Sequence, residues 1–438
     1  MKPPSVHLVG TGVVGRAIIK AHIDAGIGVT VSDQDAASLT AAVDALKLSP
    51  SHWDRSEIVA PQGWLPSVSI RHLGRHAGGD PGAGNSDAGN SGAGTSDAHA
   101  GDAGRTDAGE CDAPLLVIES ISEQLDAKRS FFLLAEKYFG DMAVLCSNTS
   151  TLCIAAIAEP MNNRNRLCGM HFFMPVDQRP AVELVRSELT SEATMHHATR
   201  HVGRLGKQPL VVRDFPGFIV NRLLSPYLNE AMLLLGRGVS AERIEHASQR
   251  YGMPLSPLEL IDWIGARTMF QAGRVFWQAF PNRISPSPIL PGLIKAKRFG
   301  RATGNGFYDY TDEVRSPGLS PDAQRLVENY SRPSAPLSDD DVLQILAIPM
   351  WIEAAIAMRQ GVADSFDAFE LAMHGGLGFD ATRSWFDFFD SLDRTAMADA
   401  ITRWSSVTAS MNAPAELLQH LKRLSPIGAL RAYANVSG

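Results

Sequence analysis

Apolar positions in the first part of the chain come in short runs separated by turns and helical stretches. Val6-His7-Leu8-Val9 has strand character and leads into Gly10-Thr11-Gly12-Val13-Val14-Gly15. Arg16-Ala17-Ile18-Ile19-Lys20-Ala21 then carries apolar residues at helical spacing. A second run, Val29-Thr30-Val31-Ser32, ends at Asp33. Strand, glycine turn, helix, strand and acid together predict one βαβ unit. Further on, Leu115-Leu116-Val117-Ile118-Glu119 reads as a buried strand and a helix is predicted around 124–139. Ala143-Val144-Leu145-Cys146 reads as another strand, ending in Ser147-Asn148-Thr149-Ser150. The alternation runs to about residue 213 and predicts a mostly parallel, doubly wound α/β sheet. After Asp214-Phe215-Pro216-Gly217 the pattern changes to helical periodicity with few strand signals.

One stretch breaks the alternation. Residues 78–109 contain 10 Gly, 7 Ala and 5 Asp and no Val, Ile, Leu or aromatic side chain. Such a segment buries too little apolar surface to offset its ordering entropy, so it reads as a disordered insertion within the first domain. The helical part carries a faint repeat. Pro349 stands 123 residues after Pro226, and the same offset pairs Glu230 with Glu353, Ala231 with Ala354, Gly238 with Gly361 and Gly252 with Gly375. The expected organisation is 1–213 as the sheet domain, 214–311 as a first helical domain and 312–438 as a second, degenerate one.

Composition narrows the class. Of 438 residues, 45% are hydrophobic and 20% charged, ordinary globular values, and the net charge of −7 argues against nucleic-acid binding. The four cysteines form no CxxC pair and read as reduced, buried thiols. No apolar run approaches the roughly 18 residues of a membrane span, and no leader pattern precedes Val6. The expectation is a cytoplasmic enzyme with a small-molecule substrate and no membrane insertion.

Two constellations carry candidate chemistry. In the first, Gly10 permits a tight turn, Gly12 lets backbone approach a pyrophosphate, and Gly15 allows close helix–strand packing. The helix start at Val13 and Val14 offers free N–H groups to phosphates. Asp33, 18 residues past Gly15, is placed to bind an adenosine ribose and favours NAD over NADP. The arrangement predicts a Rossmann-type NAD site. In the second, His171 opens His171-Phe172-Phe173-Met174-Pro175 and Glu183 follows twelve residues later. An imidazole titrates near working pH and suits removal of a hydroxyl proton, and a carboxylate beside it would fix its tautomer. His197 and His201, at helical i, i+4 spacing, read as a solvated face, while Trp351, Trp385 and Phe386 read as core.

Ser147-Asn148-Thr149-Ser150, the His171 segment with Glu183, Asp214-Phe215-Pro216-Gly217-Phe218-Ile219-Val220-Asn221-Arg222 and Gly304-Asn305-Gly306-Phe307-Tyr308 follow the glycine turn in order. Together they resemble the L-3-hydroxyacyl-CoA dehydrogenase family over residues 5–310. The two helical units further resemble the dehydrogenase portion of the fused β-oxidation multienzyme subunits, without the hydratase portion. The resemblance implies His171 as general base, Glu183 as its orienting partner, and Ser150 and Asn221 as hydrogen-bonding groups beside the nicotinamide. It places Glu123, Lys128, Ser150 and Met174 along the cofactor site. The chain departs from the family pattern at Met174, where asparagine is usual, at Ala302, and over 51–77, which replace a CoA-binding helical hairpin. Gln344 falls opposite Asn221 in the repeat, which makes the second unit structural. The expected reaction is NAD-dependent oxidation of L-3-hydroxyacyl-CoA to 3-oxoacyl-CoA in fatty acid β-oxidation. Alternatives are a 3-hydroxy acid without CoA, or a degenerate NAD-binding subunit. The expected assembly is a monomer with an internal pseudo-dimer or a homodimer, with docking to other β-oxidation enzymes.

Overall fold

A computed structural model of the chain describes residues 5–46, 53–54, 67–70, 114–332 and 335–434. The insertion read at 78–109 lies outside the described residues. Strands β1 (Val6–Val9), β2 (Val29–Ser32), β3 (Trp53–Asp54), β4 (Ser67–Ile70), β5 (Leu116–Glu119), β6 (Val144–Ser147), β7 (Leu167–Phe172), β8 (Ala181–Arg186) and β9 (Gln208–Arg213) form one sheet. Its order is β3-β4-β2-β1-β5-β6-β7-β8-β9. The block from β2 to β7 is parallel, β8 runs antiparallel to β7, and β9 runs parallel to β8. Every residue of β1, β2, β5 and β6 is buried, which is why these strands read as continuous apolar runs. β3 and β4 extend the sheet antiparallel beyond β2, an addition that the composition of 51–77 did not suggest.

Helices α1 (Val13–Asp24), α2 (Ala36–Ala45), α3 (Leu125–Tyr138), α4 (Ile154–Ala158) and α5 (Glu192–Arg204) accompany the sheet. Ile18 and Ile19 of α1 and Met195, Ala198 and Val202 of α5 pack with Leu8, Val31 and Ile118 in one apolar cluster. A second cluster holds Val117, Phe132, Leu145 and Ile154 together with the helices that follow, so sheet and helical region share a core.

The helical region begins with α6 (Val220–Gly236), α7 (Ala241–Tyr251), α8 (Pro257–Ile264), α9 (Ala266–Ala279), α10 (Ile289–Lys295) and α11 (Pro321–Tyr330). It continues with α12 (Asp339–Arg359), α13 (Phe366–Leu371), a π-helical turn at Ala372–Leu377, α14 (Trp385–Asp390), α15 (Arg394–Trp404), α16 (Ala415–Leu421) and α17 (Pro426–Ala434). A two-stranded hairpin at Tyr310–Thr311 and Val314–Arg315 interrupts an otherwise helical region. α6 and α12 pack on one another, and each carries an interior proline, Pro226 or Pro349. Trp351, Trp385 and Phe386 are core, as read from the sequence.

Two expectations are corrected. α12 is long and apolar enough by length and composition to cross a bilayer, although charged and amide side chains interrupt its apolar run; most of it is buried within the protein. His201 is not on a solvated face. It is buried against His22 of α1, with Nε2 to Nε2 at 2.9 Å. His22 Nδ1 donates to the Ile18 carbonyl at 2.7 Å, so His22 Nε2 must accept and His201 must donate. Apolar spacing alone did not show that α5 seats this edge on α1.

Both rings are therefore held neutral. Burial pushes His22 down to about 4, and burial together with His22, Arg204 and His197 pushes His201 well below its ordinary value. A group depressed on folding supports the fold fully above its unfolded value, 6.5 for His22, and loses that support as pH falls toward about 4. The shift at His22 corresponds to about 3 kcal/mol. The urea midpoint should drop clearly between pH 7 and pH 5. A His22→Leu, His201→Leu variant should show a flatter dependence; equal slopes for both proteins would refute the assignment.

Candidate active site

The site gathers where the parallel strands end. The turn after β1 gives Gly10 a φ of +97°, a backbone conformation suited to glycine. A Cβ at Gly10 would stand 2.4 Å from the Ser120 carbonyl oxygen, and one at Gly15 would stand 2.0 Å from the Gly10 oxygen. A Cβ at Gly12 would meet nothing within 4 Å. Gly10 and Gly15 are thus fixed by the protein's own packing, while Gly12 borders open space at the N-terminus of α1. Val13 is exposed there, Val14 packs against the sheet-side core, and the first turn of α1 carries no acidic residue. This cradle fits a dinucleotide pyrophosphate. Asp33 closes the turn: its Oδ2 accepts from Thr11 N at 2.7 Å and Thr11 Oγ1 at 2.6 Å. The same carboxylate stands at the end of β2, where a ribose would lie.

A carboxylate network lies across the ends of β5 and β6. Glu119, the last residue of β5, is wholly buried and accepts from Lys128 Nζ at 2.6 Å and Ser147 Oγ at 2.7 Å. Lys128 also lies 3.5 Å from Glu123. Its ammonium is buried between these two carboxylates. Glu123 Oε1 accepts from Thr149 Oγ1 at 2.7 Å, Ser150 N at 2.9 Å, Thr151 N at 3.1 Å and Ser150 Oγ at 3.2 Å. Burial alone would raise the Glu123 carboxyl, but the Lys128 charge and these donors outweigh it and hold it below its usual value. The loop bearing Ser150 is therefore pinned from beneath. Above it, Asn221 Nδ2 donates to the Ser150 carbonyl at 2.8 Å.

His171 and Glu183 are direct cross-strand partners on the antiparallel pair β7 and β8. His171 Nδ1 lies 2.9 Å from Glu183 Oε2. A carboxylate only accepts, so Nδ1 carries the proton and Nε2 is left as a base. Glu183 Oε1 accepts from the Ile219 and Val220 amides at 2.8 and 3.2 Å, at the start of α6. Phe173 and Phe218 flank the imidazole at 5.0 and 6.1 Å between ring centroids.

The predicted residues thus form two connected groups. Lys128, Glu123, Ser150 and Asn221 join in one chain of contacts, and His171, Glu183 and the first turn of α6 join in another; Asn221 belongs to that same turn. Gly10, Gly12, Gly15 and Asp33 form the turn beside them. Met174 is exposed, and Ala302 lies in a short turn at Arg301–Thr303 where Arg301 pairs with Glu313 and stacks on Trp263. Sequence reasoning gave no role to Glu119, although a carboxylate ending an apolar run was its visible signal. It also gave none to Asn148, whose Oδ1 accepts from the Phe172 amide at 2.9 Å, or to Asp262. Asp262 accepts from the Phe307 and Tyr308 amides at 2.8 and 3.0 Å, which fixes the Gly304–Tyr308 motif to α8.

A parallel sheet with a glycine cradle at its switch point and acid–base groups at the strand ends defines a dinucleotide-dependent oxidoreductase. Residues 97–215 match the NAD-binding domain of 3-hydroxyacyl-CoA dehydrogenase, and residues 217–310 match the C-terminal domain of the same enzyme. Residues 97–310 thus carry both domains of the 3-hydroxyacyl-CoA dehydrogenase family, and the cofactor is NAD. Among solved structures, it is similar to the 3-hydroxybutyryl-CoA dehydrogenase of Escherichia coli K12, at 21% identity and a TM-score of 0.64. That match covers 96% of this chain and 98% of the other. The dehydrogenase part of multifunctional enzyme 1 from C. elegans is 18% identical with a TM-score of 0.58, covering 99% and 90%. The (S)-3-hydroxybutyryl-CoA dehydrogenase of Ralstonia eutropha is 25% identical with a TM-score of 0.51, covering 70% and 99%. The first two share the fold over nearly the whole chain, second helical unit included.

The three glycines should separate on substitution. Gly12→Val should weaken NAD binding by about tenfold or more, yet keep thermal stability within about 0.5 kcal/mol. Gly10→Ala and Gly15→Ala should lower the melting temperature, because each new Cβ meets a backbone oxygen. Titration of NAD by fluorescence beside a thermal melt reads both effects.

Proposed function

We propose that the chain oxidises L-3-hydroxyacyl-CoA to 3-oxoacyl-CoA in fatty acid β-oxidation, with His171 as the general base. The observation that carries this reading is the His171–Glu183 pair, in which Nδ1 is tied to a fully buried carboxylate. His171 Nε2 takes the proton of the substrate hydroxyl. NAD held at the Gly10–Gly15 turn and Asp33 would supply the hydride acceptor for the carbon that bears this hydroxyl, which becomes the 3-oxo group. The imidazolium so formed faces Glu183, whose charge is also compensated by two backbone amides. Ser150 and Asn221, on adjoining loop and helix, hold the substrate oxygen in line with Nε2.

A 3-hydroxy acid without CoA is the second reading. It is favoured by β3 and β4, which add antiparallel strands to the sheet within 51–77, the stretch that replaces the family's CoA-binding helical hairpin.

NADH formation should be followed with a chain-length series of 3-hydroxyacyl-CoA esters beside the free 3-hydroxy acids. Turnover of the esters is expected. His171→Ala and Glu183→Gln should lower kcat by about 100-fold or more while NAD still binds. Turnover of free acids alone would move the substrate to the second reading, and full activity in His171→Ala would refute the mechanism.

A further inference from the structure

We infer that Glu353, in the second helical unit, is a positioning residue for the catalytic pair; this rests on the role proposed for His171. The first turn of α6 serves three attachments in consecutive residues. Ile219 and Val220 give their amides to Glu183, Asn221 holds the Ser150 carbonyl, and Arg222 turns to the opposite side. There the buried Arg222 guanidinium donates through Nε to Glu353 Oε1 on α12 and through Nη2 to Gln360, the residue that follows that helix. Arg283 Nη1 reaches both oxygens of Glu353, at 2.8 and 2.7 Å. Phe280 stacks on Arg222, 4.8 Å from its guanidinium carbon. Among the described residues, Glu353 is the carboxylate paired with Arg222. It therefore anchors the turn whose amides hold Glu183.

A second contact acts on the same pair from another part of the second unit. The π-helical turn at Ala372–Leu377 lies against β8 and α6. A Cβ at Gly376 would stand 2.9 Å from Val220 and 3.3 Å from Phe173, the ring packed edge-on to His171. A Cβ at Gly375 would stand 2.7 Å from Ala181 at the start of β8. The close approach allowed by these glycines seats the second unit against Phe173, one wall of the imidazole, and against Val220, whose amide holds Glu183. Glu183 is the charged group in contact with His171 among the described residues. The second unit, although it carries Gln344 where the first has Asn221, thus contributes to the site through geometry rather than chemistry.

Glu353→Gln and Gly376→Ala test this in the whole chain. Each should lower kcat by about tenfold, with KM and NAD affinity changed by no more than about twofold. In the ¹⁵N-histidine-labelled protein, the downfield proton on His171 Nδ1 should shift or broaden in both variants. An unchanged resonance and kcat in both variants would overturn the inference, as would parallel loss of NAD binding, which marks general collapse. A wild type inactive toward all hydroxyacyl substrates would instead refute the proposed function, and the resonance comparison would still decide this one.

Discussion

Glu183 is the constraint around which the site is arranged. A carboxylate with no exposure is costly unless each oxygen has a donor. One oxygen meets His171 across the β7–β8 ladder, and the other meets two free amides at the start of α6. Those amides are orphan donors that a helix start leaves unpaired, and they favour negative charge. One buried charge therefore joins the sheet to the helical region and sets the tautomer of the histidine. Moving the helix would unpair the carboxylate, so the fold and the geometry proposed for catalysis are held by the same contacts.

Similar logic recurs at a distance from His171. Asp214 accepts from the Ile154 and Ala155 amides at 2.7 Å each, holding the chain between sheet and α6 against the start of α4. Asp262 does the same for the Phe307 and Tyr308 amides, and burial raises its carboxyl to about 6 against the pull of those donors. Glu119 and Glu123 share Lys128 beneath the Ser150 loop. Loops at the strand ends are thus set by buried acids rather than by loop sequence alone. Such support explains how residues from separate elements can meet with the precision catalysis needs.

The two helical units have diverged at matched positions. Glu230 in α6 and Glu353 in α12 occupy equivalent places, and each is answered by groups from the other unit. Glu230 accepts from Thr408 and Ser410 hydroxyls at 2.6 and 2.7 Å, and burial raises its carboxyl. Glu353 instead meets two guanidinium groups, Arg222 and Arg283. Neutral hydroxyls thus answer one carboxyl and two guanidinium groups the other. The guanidinium-paired carboxylate is the one that lies behind the turn whose amides hold Glu183.

The sequence by itself determined the alternation of elements, the glycine cradle and the chemistry-bearing residues. Strand runs buried on both faces are continuously apolar, a turn with positive φ needs glycine, and the motif residues stand close together along the chain. It did not determine contacts between residues far apart. His201 reads as one edge of an exposed helix until α5 is laid on α1, because helical spacing shows a face but not its neighbour. Lys128 reads as a residue along the cofactor site, and nothing in its neighbours along the chain shows that it pairs with the buried Glu119. Glu353 reads as one more acid within an apolar helix, since its partners lie 70 and 131 residues away. Local periodicity is fixed by backbone geometry and is written into consecutive residues. Pairing of buried charges depends on which surfaces meet, and only the tertiary structure decided that.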